Sequence, residues 1–324
     1  MTERDATQPT QRPLVLSEAE VQSVLDPEEL LERLAQAFVI VSEGRASIPP
    51  RPAASAPDGM LSVMPGYLPG VGLGTKQVAV YPGNEAHGLP SHLAVISLFD
   101  EATGALLCIM DGTHITTART AGAAALSTRL LARPDASVLA ILGAGVEGAA
   151  HLAAMSRVRD VREVRIASRT LASAERLAAS DDRARAVPTF EEAVRGADVV
   201  CCCTNAPTPI VDFAWFAPGT HVTSVGFNIQ GSELDEATVT RGHLFVETPD
   251  AFSPPPAGCY ELQGLDPALG TEMGALIAGR APGRRSEEEV TVYRSMGQAA
   301  EDLAAARLAY DRAIARGVGV RVGL

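Results

Sequence analysis

Residues 137–148 of this 324-residue chain read SVLAILGAGVEG, an apolar run that ends in three closely spaced glycines, Gly143, Gly145 and Gly148. The apolar run predicts a short buried strand, and the helix-prone GAAHLAAMSRV follows it at once. In a Gly-x-Gly-x-x-Gly loop the first glycine permits a tight turn, the second lets the backbone approach a pyrophosphate, and the third lets helix pack closely on strand. The pyrophosphate then lies on N–H groups at the helix N-terminus. We therefore predict a dinucleotide site with contacts from Gly143, Ala144, Gly145, Val146 and Gly148.

The next strand, VREVRIA, ends at the triplet Ser168-Arg169-Thr170. Many dinucleotide folds carry an Asp or Glu at this point, about 20 residues past the loop, to bind the ribose 2′-OH. Here an Arg flanked by two hydroxyls suits a 2′-phosphate, so we expect NADP in preference to NAD, with all three residues at the cofactor. Glu147, inside the loop, is irregular because a carboxylate near a pyrophosphate is unfavourable unless it points to solvent.

Composition narrows the classes of partner. The chain has a net charge of −12, and an acidic surface attracts neither nucleic acid nor an anionic membrane. No apolar run reaches the roughly 18 residues of a membrane span, and the opening MTERDATQPTQR lacks the apolar segment of a signal peptide. We expect a cytoplasmic protein. The five cysteines include no C-x-x-C pair, so no metal site is predicted, and the run Cys201–Cys203 is expected inside a buried strand.

The two halves of the chain carry different patterns. From about residue 137, apolar strands alternate with helical segments, which is typical of a doubly wound parallel sheet. In the first half, two predicted helices meet at Asp26-Pro27. After them, β-like segments with Pro/Gly-rich turns run from about 60 to 110, and these segments favour an antiparallel sheet or open barrel. Helices are predicted over 116–132 and 295–316, and the second of these can pack back against the first half of the chain. We predict an α/β fold with a mixed, open-barrel-like domain of residues 1–126 and 296–324 and a Rossmann domain of residues 127–295.

Several segments resemble the ornithine cyclodeaminase/μ-crystallin family. They are GTKQVAVYPGN, GLPSHLAVISLFDEATGALLCIMDGTHITTARTAGAAALSTRLLAR, LAILGAG and the tail APGRRSEEEVTVYRSMGQAAEDLAAARLA. The resemblance extends over nearly the whole chain from about Leu16. It implies a homodimer in which the first domain binds substrate and mediates dimerisation. It also implies hydride exchange between a nicotinamide and the α-carbon of an amino or imino acid.

Such a substrate carries a carboxylate, so the site needs fixed positive charge. Arg51, Lys76 and Arg119 lie in the matching segments, and we expect them to bind the substrate, with Lys76 and Arg119 as the catalytic pair. In the family the matching lysine is near the reacting carbon. His92 either faces the substrate or packs in the sheet. Asp302 either orients the segment of Ser295 and Gly297, which in the family approaches the nicotinamide, or is a solvated helix residue, which the pattern favours. Further cofactor contacts are expected at Thr204, Asn205, Ser295 and Gly297.

One loop departs from the family pattern. Cyclodeaminase-like members carry an acidic residue before Glu-Leu, whereas this chain has VGFNIQGSELD, which places Phe227 or Asn228 there. Asn228 is retained as a substrate-binding candidate, but neither residue can act as a carboxylate base, and general acid–base catalysis contributes about 10²–10⁴-fold. Reduction of a preformed iminium needs less acid–base catalysis, because the electrophile already carries its proton. We therefore predict an NAD(P)H-dependent reductase that forms an α-amino acid from an imino acid, or from a keto acid plus ammonia. The alternatives are an ornithine/lysine cyclodeaminase and a non-catalytic NADPH-binding protein of crystallin type.

Overall fold

The computed structural model describes residues 12–228 and 230–323, which form two β-sheets flanked by helices. The opening residues, where no signal peptide is expected, lie outside the described residues. The strands are β1 (Leu14–Leu16), β2 (Ala53–Ala56), β3 (Gly59–Leu68), β4 (Gly72–Val80), β5 (His92–Phe99), β6 (Leu106–Asp111), β7 (Val138–Leu142), β8 (Glu163–Ala167), β9 (Ala184–Ala186), β10 (Val199–Cys202), β11 (His221–Ser224), β12 (His243–Val246), β13 (Gly270–Glu272), β14 (Thr291–Arg294) and β15 (Val320–Arg321). The helices are α1 (Glu18–Val24), α2 (Pro27–Ser42), α3 (Thr113–Leu131), α4 (Val146–Val158), α5 (Leu171–Ala178), α6 (Phe190–Val194), α7 (Glu236–Arg241), α8 (Met273–Ile277) and α9 (Ala299–Arg316). None of these helices of the described ranges is both long and apolar enough to cross a membrane.

The first sheet has seven strands in the order β15-β1-β6-β5-β4-β3-β2. Strands β2 to β6 pair antiparallel, as the pattern between residues 60 and 110 predicts, whereas β1 pairs parallel with β6. The helical break also lies where it is expected. The Asp26 side chain accepts the N–H groups of Glu28 and Glu29 at 3.0 Å, and Pro27 is the first residue of α2, where its missing N–H costs nothing.

The second sheet has eight strands in the order β13-β12-β14-β11-β10-β7-β8-β9, all paired in parallel. Its order runs outward in both directions from β7 and β10, which confirms the doubly wound arrangement. Cys201 and Cys202 are fully buried in β10, as expected for small apolar side chains in a strand covered on both faces. The loops that follow β7, β8, β10 and β11 therefore open at one edge, where such sheets bind ligands.

Helix α3 joins the two sheets and is buried along most of its length. Its small side chains let neighbouring helices approach closely, because a Cβ at Gly122 would stand 3.0 Å from the Leu34 side chain of α2. A single hydrophobic cluster extends from Leu34 through Ala123 to Leu139 of β7. Since α3 packs against helices of both halves, the division at residues 126 and 127 stays a prediction.

Helix α9 packs on the inner face of the first sheet. A Cβ at Gly74 of β4 would overlap the Leu303 side chain, and one at Gly66 of β3 would lie 3.1 Å from it. Only glycine lets the helix lie this close to the strands. The first turn of α9 is thereby held against β4, which determines the geometry of the site described next.

Candidate active site

The glycine loop between β7 and α4 has the steric features expected of a pyrophosphate cradle. Gly143 has φ +110°, and a Cβ there would stand 2.5 Å from the Cys203 carbonyl oxygen. A Cβ at Gly148 would overlap the Gly143 carbonyl, so the helix packs onto the turn only through glycine. By contrast, no atom lies within 4 Å of the Cβ position at Gly145. Because α4 has no side-chain cap, its first N–H groups are left for an anion, and the residues present fit a dinucleotide.

The other predicted cofactor residues lie around the same edge. Ala144 and the exposed Val146 flank Gly145, and Ser168, Arg169 and Thr170 end β8, with Arg169 and Thr170 exposed. These positions match a ligand that extends from the glycine loop across the end of β8. Binding itself stays a prediction.

Glu233, which sequence reasoning did not select, organises the loops after β10 and β11. Its buried carboxylate accepts hydrogen bonds from the Thr204 backbone N–H and hydroxyl, from Ser224 Oγ at 2.9 Å and from the Gly226 N–H at 2.8 Å. Burial raises the pKa of this carboxyl, and these donors oppose the shift. In the sequence, the signal that could have identified Glu233 is a charged residue directly beside the apolar Leu234, in a stretch that links two buried elements.

The Asn228 side chain connects two loops by hydrogen bonds to their backbone. Its Nδ2 donates to the Asn205 carbonyl at 3.0 Å, and its Oδ1 accepts the Gln230 N–H at 2.9 Å. Phe227 beside it is half-buried. Since both polar ends of the Asn228 amide are bonded to backbone, the structure gives this residue a loop-bridging contact, and its substrate contact stays a prediction.

Lys76 and Arg119 meet at one buried carboxylate, although they lie on different elements. Lys76 of β4 is 2% exposed, and its Nζ lies 2.8 and 2.9 Å from the two carboxylate oxygens of Asp302 in α9. Arg119 of α3 is 6% exposed, and its Nε donates to Asp302 Oδ1 at 3.1 Å. Its Nη1 lies 3.2 Å from Glu301 Oε2. We call these four residues the ionic cluster.

Asp302 is 1% exposed, so the expectation of a solvated helix residue is wrong. Acidic residues in the first turn of a helix usually face solvent and complement the helix dipole. Here α3 and β4 cover that turn from two sides, because glycines in β3 and β4 let α9 approach. The acidic pair neutralises two buried cations, and the bidentate contact fixes the Lys76 amine in position.

Burial has opposite consequences for the two cations. It lowers the pKa of Lys76 to about 8, against the raising effect of Asp302 and with a further lowering by Arg119. Burial also disfavours the charge of Arg119, but Asp302 and Glu301 outweigh it and raise that pKa above its ordinary value. The cluster therefore contains one permanently charged guanidinium and one amine able to release a proton near pH 8.

Arg51 reaches the ionic cluster through the loop before α9. Its Nη2 donates to the Gly297 carbonyl at 2.7 Å, and Gly297, at φ +66°, lies so close to the Arg119 guanidinium that any Cβ would overlap it. Glu247 holds this loop by accepting Ser295 Oγ at 2.6 Å and the Gly297 N–H at 3.1 Å. The predicted residues Arg51, Ser295 and Gly297 are thus brought together beside Arg119.

A second buried ion pair fixes the same loops. Arg294 Nε donates to Glu261 Oε1 at 2.7 Å, and its other nitrogens donate to the carbonyls of Gly226 at 2.8 Å and Ser224 at 3.3 Å. Neither Arg294 nor Glu261 was selected from the sequence. An Arg at the end of an apolar strand was the available signal, because such a charge requires a buried partner.

His92 lies at the start of β5, on the sheet face that also carries Lys76. Residue 96 of β5 pairs with Lys76, and His92 is four residues before it, so both side chains point to the same side. The pKa of His92 is lowered by burial and by the charge of Lys76. Neighbouring protein atoms desolvate the imidazole although the residue as a whole is exposed at the margin of the site, and its contact with substrate stays a prediction.

Glu147 does not turn away from the protein as expected of a carboxylate near a pyrophosphate. Its Oε2 is buried and lies 3.8 Å from His151 Nδ1, and the side chain as a whole is about one-third exposed. Burial raises its pKa to about 7, opposed by Arg119, the Thr117 hydroxyl and Lys76. The glycine loop and the ionic cluster are therefore electrostatic neighbours.

An open cleft of about 240 Å³ adjoins the cluster on the side of Arg51. It lies between the loop before β2 and the segment after β12, and Met64, Glu247, Met296 and Gly297 contribute to its lining. Within the described ranges, no group of three or more His, Cys, Asp or Glu side chains is arranged to hold a metal ion.

Comparison with known proteins agrees with this geometry. Residues 11–317 match the family model described as the ornithine cyclodeaminase/mu-crystallin family. The ketimine reductase mu-crystallin of Mus musculus is 39% identical over 256 residues, covering 78% of this chain and 80% of the mouse protein.

Two solved structures share the fold over almost the entire chain. The Δ1-pyrroline-2-carboxylate reductase of Thermococcus litoralis, in complex with NADH and L-proline, has a TM-score of 0.90 at 32% identity and covers 95% of this chain and 100% of its own. An archaeal alanine dehydrogenase dimer with bound NAD has a TM-score of 0.88 at 30% identity and covers 97% and 99%.

Proposed function

The chain belongs to the ornithine cyclodeaminase/mu-crystallin family, and on that premise we propose that it is an NAD(P)H-dependent oxidoreductase that reduces an imino acid to an α-amino acid. The observation that carries this proposal is the pair Lys76 and Arg119, buried on one carboxylate beside the glycine loop. The relatives named as ketimine and pyrroline-carboxylate reductases perform the same class of reaction. A cyclic α-imino acid is accordingly the first substrate to test.

The dinucleotide supplies the hydride when it is bound. Arg119 and Arg51 offer planar guanidinium groups to the substrate carboxylate, and Arg119 keeps its charge at any relevant pH. Lys76 Nζ holds a proton below about pH 8 and can donate a hydrogen bond to the substrate nitrogen. Asp302 fixes both cations, so little reorganisation is needed when charge on the substrate is neutralised.

The same residues argue against cyclodeamination. That reaction needs a base to deprotonate an attacking amine, and Phe227 or Asn228 stands where cyclodeaminase-like members carry an acid. The Asn228 amide is occupied by loop backbone on both sides. Reduction of an imino acid needs a proton on the nitrogen, which Lys76 can donate, and a hydride at the carbon, so no carboxylate base is required.

The test follows NADPH and NADH absorbance with cyclic imino acids, with pyruvate plus ammonia, and with ornithine. We expect oxidation of the reduced cofactor, with an amino acid formed in equal amount, when an imino acid is supplied. Release of proline and ammonia from ornithine without net cofactor consumption would establish the cyclodeaminase instead. Tight cofactor binding with no turnover on any substrate would favour the crystallin-type alternative.

Arg169 determines the choice between NADPH and NADH in this proposal. Replacing it by Ala removes the only cation of the Ser168-Arg169-Thr170 triplet, and the loss of one charge-assisted contact to a 2′-phosphate is expected to reduce the NADPH/NADH ratio of kcat/KM by about tenfold. Arg162→Ala, at an exposed arginine one strand earlier, is the matched control. An unchanged ratio in Arg169→Ala contradicts the assignment.

We further propose a homodimer that forms through the outer face of the first sheet. Leu61, Leu73, Leu93 and Val95 are each about 40% exposed there and lie on the face opposite to Lys76. A cluster of exposed apolar side chains on a sheet face indicates an interaction surface, and the archaeal alanine dehydrogenase is a dimer in its structure.

Sedimentation is expected to give twice the 33.8 kDa monomer mass. Val95→Glu is expected to shift this value to the monomer, because an uncompensated charge would be buried in the interface. Leu269→Glu, at an exposed leucine beside the second sheet, is expected to leave the mass unchanged. A dimer that persists in both variants places the interface elsewhere.

A further inference from the structure

The starting observation is a buried carboxylate oxygen in the glycine loop of the proposed dinucleotide site. Glu147 lies in the first turn of α4, between Gly145 and Gly148, where the backbone N–H groups are left for a pyrophosphate. Its Oε2 is buried and has no hydrogen-bond partner among the described residues. An ionised carboxylate in that turn would add a like charge close to the cofactor phosphates.

The two cations near Glu147 favour its ionised form, but each is already paired with another carboxylate, and burial outweighs their effect. His151, one turn along α4, has Nδ1 at 2.7 Å from the Glu147 backbone carbonyl, and burial lowers the pKa of this histidine to about 4, so it is neutral. Arg119 of α3 is engaged by Asp302 and Glu301, and the Lys76 amine of β4 lies on Asp302. The Cys203 thiol at the end of β10 is neutral because burial raises its pKa. Thr117 of α3 adds only a hydroxyl.

We propose that Glu147 couples dinucleotide binding to the uptake of one proton, being partly ionised in the free protein and neutral in the complex. The proton comes from solvent and is added to the carboxylate, so the complex has one fewer negative charge beside the phosphates. The inference rests on the proposed function only in requiring that a nicotinamide dinucleotide binds.

The sign of the pH dependence follows from linkage. In the free protein the pKa of Glu147 is about 7, and adjacent phosphates raise it further in the complex. Below pH 7 the carboxyl is already neutral and affinity is at its maximum. Above pH 7 a proton must be bound together with the cofactor, so affinity falls. With the pKa raised by at least one unit, the Kd at pH 8.5 is expected to be about five times that at pH 6.5.

The experiment measures the Kd of whichever of NADPH or NADH binds tighter, by fluorescence titration from pH 6.5 to 9, for the full chain and for Glu147→Gln. The amide is isosteric and does not titrate. Subtracting its profile removes the titration of Lys76, of the cofactor 2′-phosphate and of every other group. Calorimetry in buffers of different ionisation enthalpy counts the protons taken up. Glu32→Gln, at an exposed carboxylate of α2, is the matched control.

We expect Glu147→Gln to match the wild type at pH 6.5 and to bind about fivefold more tightly at pH 8.5. We also expect proton uptake at pH 8 to be smaller in this variant. Equal pH profiles and equal proton uptake in the two proteins would overturn the inference, even though the cofactor binds. If neither dinucleotide binds the wild type, the proposed function fails as well, which is a distinguishable result. A melting temperature within a few degrees of wild type establishes that Glu147→Gln is folded.

Discussion

Replacing Lys76 by Met is expected to lower kcat/KM for the imino acid by about 10²–10⁴-fold, the usual range for loss of a positioned acid–base group. The methionine side chain has a similar length but no proton to donate and no charge for a carboxylate. Asp302 keeps its bond to Arg119, so one cation remains to neutralise it. Dinucleotide affinity is expected to change far less, because the glycine loop is untouched.

The pH dependence adds a second readout to the same prediction. The pKa of Lys76 is about 8, so the active protonated form is present at pH 7 and is lost above pH 8. Wild-type kcat/KM is therefore expected to fall above pH 8. Lys76 is the only lysine among the 27 basic residues. A protein labelled with ¹⁵N-lysine therefore gives a single side-chain signal, whose titration measures this pKa directly.

The experiment must distinguish a loss of folding stability in Lys76→Met from a loss of catalysis. Breaking a buried ion pair costs about 3–5 kcal/mol when one charge is left without a partner, so the variant's melting temperature and NADPH affinity are measured in parallel. The double variant Lys76→Met with Asp302→Asn restores the charge balance of the cluster, with Arg119 opposite Glu301, and is the comparison for folding. A folded, cofactor-binding Lys76→Met protein with wild-type kcat/KM would show that the amine has no part in the reaction.

Substituting Ala at two glycines of the same loop is expected to lower dinucleotide affinity in both variants but to destabilise the fold in only one. Gly148→Ala places a methyl group on the Gly143 carbonyl. The backbone must move, which is expected to lower the free energy of unfolding by about 1–3 kcal/mol and dinucleotide affinity by about 100-fold.

Gly145→Ala leaves the fold intact, because no atom lies within 4 Å of the new methyl group. Its free energy of unfolding is expected to change by less than about 0.5 kcal/mol. The new methyl group nevertheless fills the space that the pyrophosphate needs, so the dinucleotide affinity of Gly145→Ala is expected to fall about as far as that of Gly148→Ala.

Gly83→Ala is the matched control, since it also has open space around its Cβ but lies outside the loop. Thermal unfolding and fluorescence titration of the three variants test both predictions. Undiminished dinucleotide affinity in Gly145→Ala would mean that the ligand does not approach this glycine.

Much of the fold follows from local sequence patterns, and the structure confirms it. The apolar runs that alternate with helical segments after about residue 137 become the strands of the parallel sheet. The Asp26-Pro27 pair breaks the first helical segment as expected. These elements depend on residues a few positions apart, whose preferences hold in any tertiary context. The cytoplasmic location, the domain boundaries and the individual substrate and cofactor contacts stay predictions.

The supporting residues of the site could not be found in this way. Glu233, Glu247 and the Arg294–Glu261 pair each hold a loop by bonds to groups brought together only by folding. Their sequence surroundings are ordinary. A buried charge becomes recognisable as such only when its partner is known, and the partner's position is not encoded nearby.

The sequence by itself determined that a tight turn and a close helix–strand contact occur at Gly143 and Gly148, because those contacts join residues five positions apart. It also predicts which cations bind a substrate carboxylate, and that assignment stays a prediction. Only the tertiary structure decided that Lys76 and Arg119 share Asp302, which lies 226 residues from Lys76, and that Glu147 turns toward them. The physical reason is burial: α9 is covered from two sides, so acidic residues that would otherwise face solvent must pair with the cations opposite them.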